Sequence, residues 1–222
     1  MITAATNFTI SAAVPQYRNL TLDPAEYEIT LGTNTSAKSG GILGGGANGL
    51  TSVIGTGKVI VNYNVNDLST SATSRTNAFT VATGATLAFA PGGNIGFGLL
   101  TVQDGGTLEV AESGTVTHNG NLSLADGAAL GFTFTERANP PVLALAEEKA
   151  VTFTGEGKIA VKITGDVWPI GGDYVLTACG GFDAEGVSLA DGAPKWAKGI
   201  GVNEEGNIVL TVRPKPTMII VR

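Results

Sequence analysis

Three similar phrases follow one another in the middle of the chain, and this repeat constrains the fold more than any other feature. The phrases are Thr83–Leu87, Asp104–Leu108 and Asp126–Leu130. Their aligned glycines, Gly84, Gly105 and Gly127, are 21 and 22 residues apart, and a β-prone run lies on each side of every phrase. A strand, a glycine turn and a second strand, repeated at a short and nearly fixed period, predict stacked coils of chain.

Composition favours strands over helices throughout the chain. Charged residues make up 14% of the 222 residues, below the ~25% of an average soluble domain. The 32 glycines are about twice the usual share, whereas the Glu, Lys, Arg and Gln that cover helix surfaces are scarce. With 43% hydrophobic residues the chain can still bury a core. The sequence therefore predicts an all-β protein with many glycine turns.

The charge distribution argues against two classes of partner. The net charge is −6, and no run of Lys and Arg is present, so a nucleic-acid partner is disfavoured. The acidic balance also disfavours binding to anionic lipid, and no apolar run of about 18 residues predicts a membrane-spanning helix. The first residues, Met1–Thr6, lack the basic start and apolar stretch of a signal peptide.

Motifs that bind cofactors or metals are not predicted. Gly44, Gly46 and Gly49 match the spacing of a dinucleotide-binding loop, but the residues that follow are strand-like instead of helical. Cys179 is the sole cysteine, which excludes an internal disulfide, and we expect it to be a small buried residue. His118 is the sole histidine, so no multi-histidine metal site exists. We expect no cofactor and no metal.

The order of the strand-like segments predicts a parallel β-helix, or β-solenoid, in residues 1–165, with a glycine-rich loop at 34–49. The segment Val142–Lys149 is interpreted as a strand. Aromatic residues and prolines concentrate in 166–222, which predicts a C-terminal β cap or small β domain that closes the last coil. Antiparallel β-sandwich domains remain the alternative, because antiparallel strands with short glycine turns give the same signals.

Two pairs of more distant segments also resemble each other. Gly55–Val61 is similar to Gly155–Val161, and Leu122–Ala128 is similar to Val187–Ala193. Because the two offsets differ, these similarities predict a solenoid with coils of irregular length instead of a single duplication.

The phrase Leu100–Val110, together with its neighbours, resembles the autotransporter-associated β-strand repeats of bacterial surface and secreted proteins. The segment Gly172–Val212 also resembles the closing segment of such proteins. The resemblance covers roughly Val53 to Val212 and implies a right-handed parallel β-helix, export from a bacterial cell, and a stalk, adhesin or matrix role. It extends to the passenger region alone, since no strands of the autotransporter membrane barrel follow.

Two groups of residues are candidates for contacts with partners. The terminal run Thr217, Met218, Ile219, Ile220 and Val221 follows two prolines and is apolar, so it could add to the sheet edge of a second copy and link subunits. Pairing within its own molecule is the alternative. Trp168, Tyr174 and Trp196 could form a platform on which sugars stack, although such residues are more commonly the core of a small domain.

Three functional hypotheses follow from these features. The first is a non-catalytic extracellular structural or adhesive surface protein, whose partners are copies of itself or other surface proteins. The second is a glycan-binding module or phage-fibre segment. The third is a β-helix polysaccharide lyase or hydrolase, for which Asp104 and Asp126 lie at equivalent repeat positions. We expect these two aspartates to be turn residues, because Asp is common before a turn glycine, and we expect no enzymatic activity.

Overall fold

The structure is a computed structural model that describes residues 1–10, 19–31, 50–62, 78–91, 94–95 and 98–216. The predicted glycine-rich loop at 34–49 and the terminal strand at 217–222 lie outside these residues. The described part is all-β and contains no helix.

Two parallel sheets take up successive strands in alternation. Sheet A consists, in spatial order, of β1 (Ile2–Thr3), β3 (Asn19–Asp23), β5 (Leu50–Val53), β7 (Ala78–Val81), β10 (Leu99–Val102), β13 (Asn121–Ala125) and β16 (Val151–Thr154). Sheet B consists of β2 (Phe8–Ile10), β4 (Glu28–Leu31), β6 (Lys58–Val61), β8 (Thr86–Phe89), β11 (Thr107–Val110), β14 (Ala129–Thr133), β17 (Ile159–Thr164) and β20 (Val187–Leu189). The chain thus passes from sheet A to sheet B and returns to sheet A, and three of these returns run through a strand of a third parallel sheet, sheet C. Each such pass of the chain lies beside the previous one.

Two smaller sheets complete the described part. Sheet C is parallel and contains β19 (Thr177–Ala178), β15 (Pro141–Leu145), β12 (Gly114–His118) and β9 (Asn94–Ile95). Sheet D is antiparallel and contains β18 (Gly172–Val175), β22 (Ile208–Val212) and β21 (Ala197–Val202). The antiparallel alternative is therefore wrong for sheets A, B and C. Of the strand predicted at 142–149, β15 confirms residues 142–145, and the rest is a turn.

The core consists of columns of apolar side chains that stack in register from one pass to the next. In sheet B one column contains Ile29, Val59, Leu87, Leu108, Leu130 and Val161. In sheet A another contains Val53, Val81, Val102, Leu124 and Phe153. Because side chains alternate between the two faces of a strand, each buried column leaves the neighbouring positions on the outer face.

The turns from sheet A to sheet B form a row in which left-handed backbone recurs. The φ angles are +80° at Gly84, +70° at Gly105 and +76° at Gly127, so the predicted glycine turns are confirmed. Ala25 occupies the left-handed region in the turn between β3 and β4, at φ +53°. The amide of Gly84 donates to the carbonyl of Gly105 at 3.1 Å, and the amide of Gly105 donates to the carbonyl of Gly127 at 3.1 Å. The turns are therefore bonded to one another as the strands are.

The C-terminal segment both continues and covers the parallel sheets. Beyond the predicted boundary at residue 165, β20 extends sheet B and β19 extends sheet C, while β18, β21 and β22 form sheet D. The similarity between 122–128 and 187–193 does not reflect equivalent positions, because β13 belongs to sheet A and β20 to sheet B.

Candidate functional site

The outer face of sheet A carries a continuous row of hydroxyl side chains. The row consists of Thr21, Ser52, Thr80, Thr101, Ser123 and Thr152, each paired in register with the next. Neighbouring strands in a sheet lie about 4.8 Å apart, so the row repeats at that spacing. We call these six residues the hydroxyl row.

From Ser52 to Thr152 the hydroxyl row lies on strands without charge, whereas β3, which carries Thr21, ends in Asp23. The five strands from β5 to β16 contain no Asp, Glu, Lys or Arg. A second row beside it is partly apolar: Leu50 is 44% exposed, Leu99 is 39% exposed, and Ala78 lies between them in register. Each hydroxyl can both donate and accept a hydrogen bond. This face therefore suits an uncharged partner that has hydroxyl groups and apolar patches.

The outer face of sheet B differs because it is charged. Lys58 reaches from β6 across β8, and its Nζ lies 2.8 Å from the Glu109 Oε1 on β11. Thr133 donates to the same carboxylate oxygen at 3.0 Å. From the other side, Lys162 reaches from β17 across β14 and donates to the Thr107 hydroxyl at 2.9 Å.

These long side chains enclose a groove of about 660 Å³ on sheet B. Its charged lining residues are Glu28, Glu109, Glu112 and Asp166 against Lys58 and Lys162, a net charge of −2. Gly131 leaves room for the Glu109 side chain, since a Cβ there would lie 3.0 Å from the Glu109 Cγ. The Glu109 carboxylate accepts hydrogen bonds from Lys58 and Thr133, so its main role is to hold the Lys58 side chain across β8.

The predicted aromatic platform is divided between the surface and the interior. Trp196 is 5% exposed and packs edge-to-face on Phe134, with ring centroids 5.2 Å apart. Tyr174 also packs edge-to-face on Phe134, with ring centroids 5.9 Å apart, and its hydroxyl donates to the Ile170 carbonyl at 2.8 Å. Trp168 is half-buried, and its Nε1 donates to the Arg213 carbonyl at 3.0 Å.

The burial of Trp196 removes one ring of the three from the surface. The three residues instead belong to the C-terminal segment that covers the last strands of the parallel sheets. Sugar binding in this region stays a prediction. The terminal run Thr217–Val221 lies outside the described residues.

The two aspartates at equivalent repeat positions lie in the turn row. Asp126 accepts the backbone amides of Glu156 at 2.8 Å and Lys158 at 2.9 Å, both in the next turn. These bonds hold the pKa of Asp126 below its ordinary value. The Asp104 carboxylate lies against Gly127, also in the next turn. Asp126 is thus a turn residue, as its sequence position predicted. Through these hydrogen bonds it also joins its own turn to the next one, which the sequence did not predict.

Cys179 and His118 lie away from these surfaces. Burial raises the pKa of the Cys179 thiol to about 11, which leaves it largely protonated at neutral pH. His118 is fully buried, with its Nε2 3.0 Å from the Asn121 carbonyl. Among the described residues, no group of three or more His, Cys, Asp or Glu side chains could hold a metal ion. No described helix is long and apolar enough to cross a membrane.

The contact between Lys58 and Glu109 joins residues that are 51 positions apart, and no pattern within one strand predicts it. The hydroxyl row was also not predicted as a defined set. The alternation of Thr or Ser with apolar residues indicates that each strand has one hydroxyl-bearing face. The register that aligns these faces across the sheet cannot be deduced from the sequence.

No family model, no curated protein and no solved structure matches the chain.

Proposed function

We propose that the chain is a parallel β-helix that serves as a non-catalytic structural or adhesive element on the outside of a bacterial cell. In this proposal copies associate through Thr217–Val221, so that the protein is a subunit of a fibre or matrix. The β-helix part rests on the alternation of strands between sheets A and B with every pair parallel. The adhesive part rests on the hydroxyl row.

The single observation that carries the proposal is the uninterrupted register across successive passes. Eight strands of sheet B are paired in sequence, which corresponds to a stack of about 34 Å at the usual strand spacing. Backbone hydrogen bonds run along this stack in the sheets and in the turn row. Such an arrangement gives a stiff rod whose faces repeat the same side-chain types, which suits repeated weak contacts.

Assembly is tested by negative-stain electron microscopy and solution mass of the full chain, measured beside a chain that ends at Arg213. We expect fibres or larger assemblies from the full chain and single particles from the shorter one. Single particles of equal mass from both would reject self-association through the terminal run. Circular dichroism of both chains verifies that the shorter one keeps its β structure.

Glycan binding is a second candidate, and the hydroxyl row favours it. A neutral linear polysaccharide could lie along this row and exchange hydrogen bonds with it, with its less polar faces against Leu50 and Leu99. Co-sedimentation with insoluble neutral polysaccharides is the test. Thr101→Lys places a charge in the row and should abolish binding, whereas Thr115→Lys, on an exposed strand position of sheet C, should leave it intact. Equal binding by both variants would refute this candidate.

A further inference from the structure

The point at which the terminal run leaves the described structure is fixed by three contacts. The amide of Arg213 donates to the Trp196 carbonyl at 2.8 Å, and the Arg213 carbonyl accepts from Trp168 Nε1 at 3.0 Å. Pro214 packs on Gly171, where a Cβ would lie 2.7 Å from the Pro214 Cα. The chain is therefore held at sheet D up to residue 214.

The two prolines at this anchor favour extended over helical backbone. Pro214 and Pro216 disfavour helical backbone at the residues before them, Arg213 and Lys215. Lys215 directly before Pro216 is also a poor residue for the left-handed position of a tight turn. Residues 213–216 are exposed. A run held in this way is better placed to meet a second molecule than to reverse and pair beside its own strand.

Sheet D offers an edge for such a run. Within the described residues β18 pairs with β22 on one side only, and three of its four residues are exposed. Two large apolar side chains near this edge face solvent: Ile170 is 54% exposed and Val175 is 42% exposed. The opposite edge strand, β21, lies against β20. The edge of β18 is thus the more open of the two and carries apolar surface that an added strand would cover.

We propose that Thr217–Val221 of one copy adds to the free edge of β18 in a second copy and becomes a fourth strand of sheet D. This inference rests on the proposed self-association and names the edge that receives the strand. The donor supplies Met218, Ile219, Ile220 and Val221, whose side chains would alternate between the two faces of the sheet. Those on one face would contact Val175, and backbone hydrogen bonds would supply the rest of the attraction.

Disulfide trapping between two different full-length variants tests the pairing. Both carry Cys179→Ala, so that each has a single engineered thiol. One carries Val175→Cys, and the other carries a cysteine at one position of the run from Met218 to Val221. After mixing and mild oxidation, we expect a mixed disulfide at alternate positions of the run, because only every second side chain shares the face of Val175. Lys198→Cys on β21 replaces Val175→Cys as the matched control and should give only background.

The outcomes separate this inference from the proposed function. Alternating mixed disulfides at Val175→Cys with background at Lys198→Cys support pairing at β18. Equal yields at both edges, or yields without alternation, overturn it. A variant that carries both cysteines in one chain gives a further test. If it forms the disulfide within that chain while the mixed disulfide between two chains is missing, pairing between copies at β18 is overturned. If fibres persist without the mixed disulfide, self-association stands and another edge receives the strand; if neither is seen, both proposals fail.

Discussion

Substitution of individual glycines by alanine tests how tightly successive passes stack. Four glycines differ in two independent properties, the sign of φ and the space around the missing Cβ. Gly201 has neither constraint, because φ is not positive and nothing lies within 4 Å of an added Cβ. Gly192 has φ +81° in open space. Gly57 has no positive φ, but its Cβ would overlap the Tyr27 carbonyl oxygen. Gly165 combines φ +125° with overlap on backbone.

The expected free-energy changes follow from these two properties. Gly201→Ala should be neutral or stabilising by up to about 1 kcal/mol, because alanine loses less backbone freedom on folding. Gly192→Ala adds about 1–2 kcal/mol of left-handed strain, partly offset by the same gain. Gly57→Ala forces two passes apart, at a cost of about 1–3 kcal/mol. Gly165→Ala should carry both costs, about 2–5 kcal/mol in all.

Thermal unfolding followed by circular dichroism measures the series. For a protein of this size, 1 kcal/mol corresponds to a shift in Tm of about 2–4 °C. Gly57→Ala should then lower Tm by roughly 2–12 °C, whereas Gly201→Ala should leave it unchanged or raise it. Gly165→Ala should have the lowest Tm of the four.

The comparison between Gly57→Ala and Gly201→Ala is the decisive one. The Gly57 overlap is with backbone of the preceding pass, which cannot move aside as a flexible side chain can. If these two variants unfold at the same temperature, the turns at Gly57 and Tyr27 are not in contact, and the stacking described here is wrong at that point.

Three further predictions concern single side chains. Because the folded pKa of Asp126 is lowered, its charge stabilises the protein above its ordinary value of 3.8, and this contribution is lost as the pH falls through the lowered pKa. Asp126→Asn should therefore destabilise the protein at pH 7 and progressively less below pH 3.8 in urea titrations. The Cys179 thiol should react with a disulfide reagent at pH 8 roughly 10-fold more slowly in the folded protein than in urea, because burial raises its pKa to about 11 and the smaller thiolate fraction outweighs the higher nucleophilicity of that thiolate; equal rates would contradict its burial. Asn207 accepts the amides of Cys179 and Gly180, at 3.0 and 2.8 Å, so Asn207→Ala should cost about 1–3 kcal/mol per amide. Asn207→Asp keeps the acceptor oxygen but places a carboxylate where the Asn207 Nδ2 lies 3.3 Å from the Glu205 Oε2, so in the same urea titration it should cost less than Asn207→Ala only when both are made together with Glu205→Gln.

The repeat made the local structure predictable. Around Gly84, Gly105 and Gly127, short runs of alternating residues flank a residue type that accepts left-handed backbone, and the structure has a strand, a turn and a strand at each. The alternation of residues along each strand also corresponds to burial, since Ile29 and Leu31 of β4 are buried and Thr30 between them is not. These features depend on residues close in sequence, so a single sequence was sufficient.

Pairings across the stack were less predictable, because they depend on the length of each pass. The similarity of Gly55–Val61 and Gly155–Val161 places Val59 opposite Ile159, yet through the intervening strands Val59 aligns with Val161. A shift of two residues keeps every side chain on the same face, so the pattern of buried and exposed positions could not reveal it. Ala25 likewise takes a left-handed turn position without the glycine that would have signalled it.

The same dependence on register explains why the candidate surfaces were found only in the structure. The hydroxyl row takes its residues from six strands, and a one-residue slip of any strand would move its hydroxyl into the core and an apolar side chain onto the face. Lys58 and Glu109 likewise meet only if β6, β8 and β11 are neighbours in register. The uncharged row on sheet A and the charged groove on sheet B therefore both depend on the register in which the strands pair. A partner of either face would contact residues from several successive strands instead of a single loop.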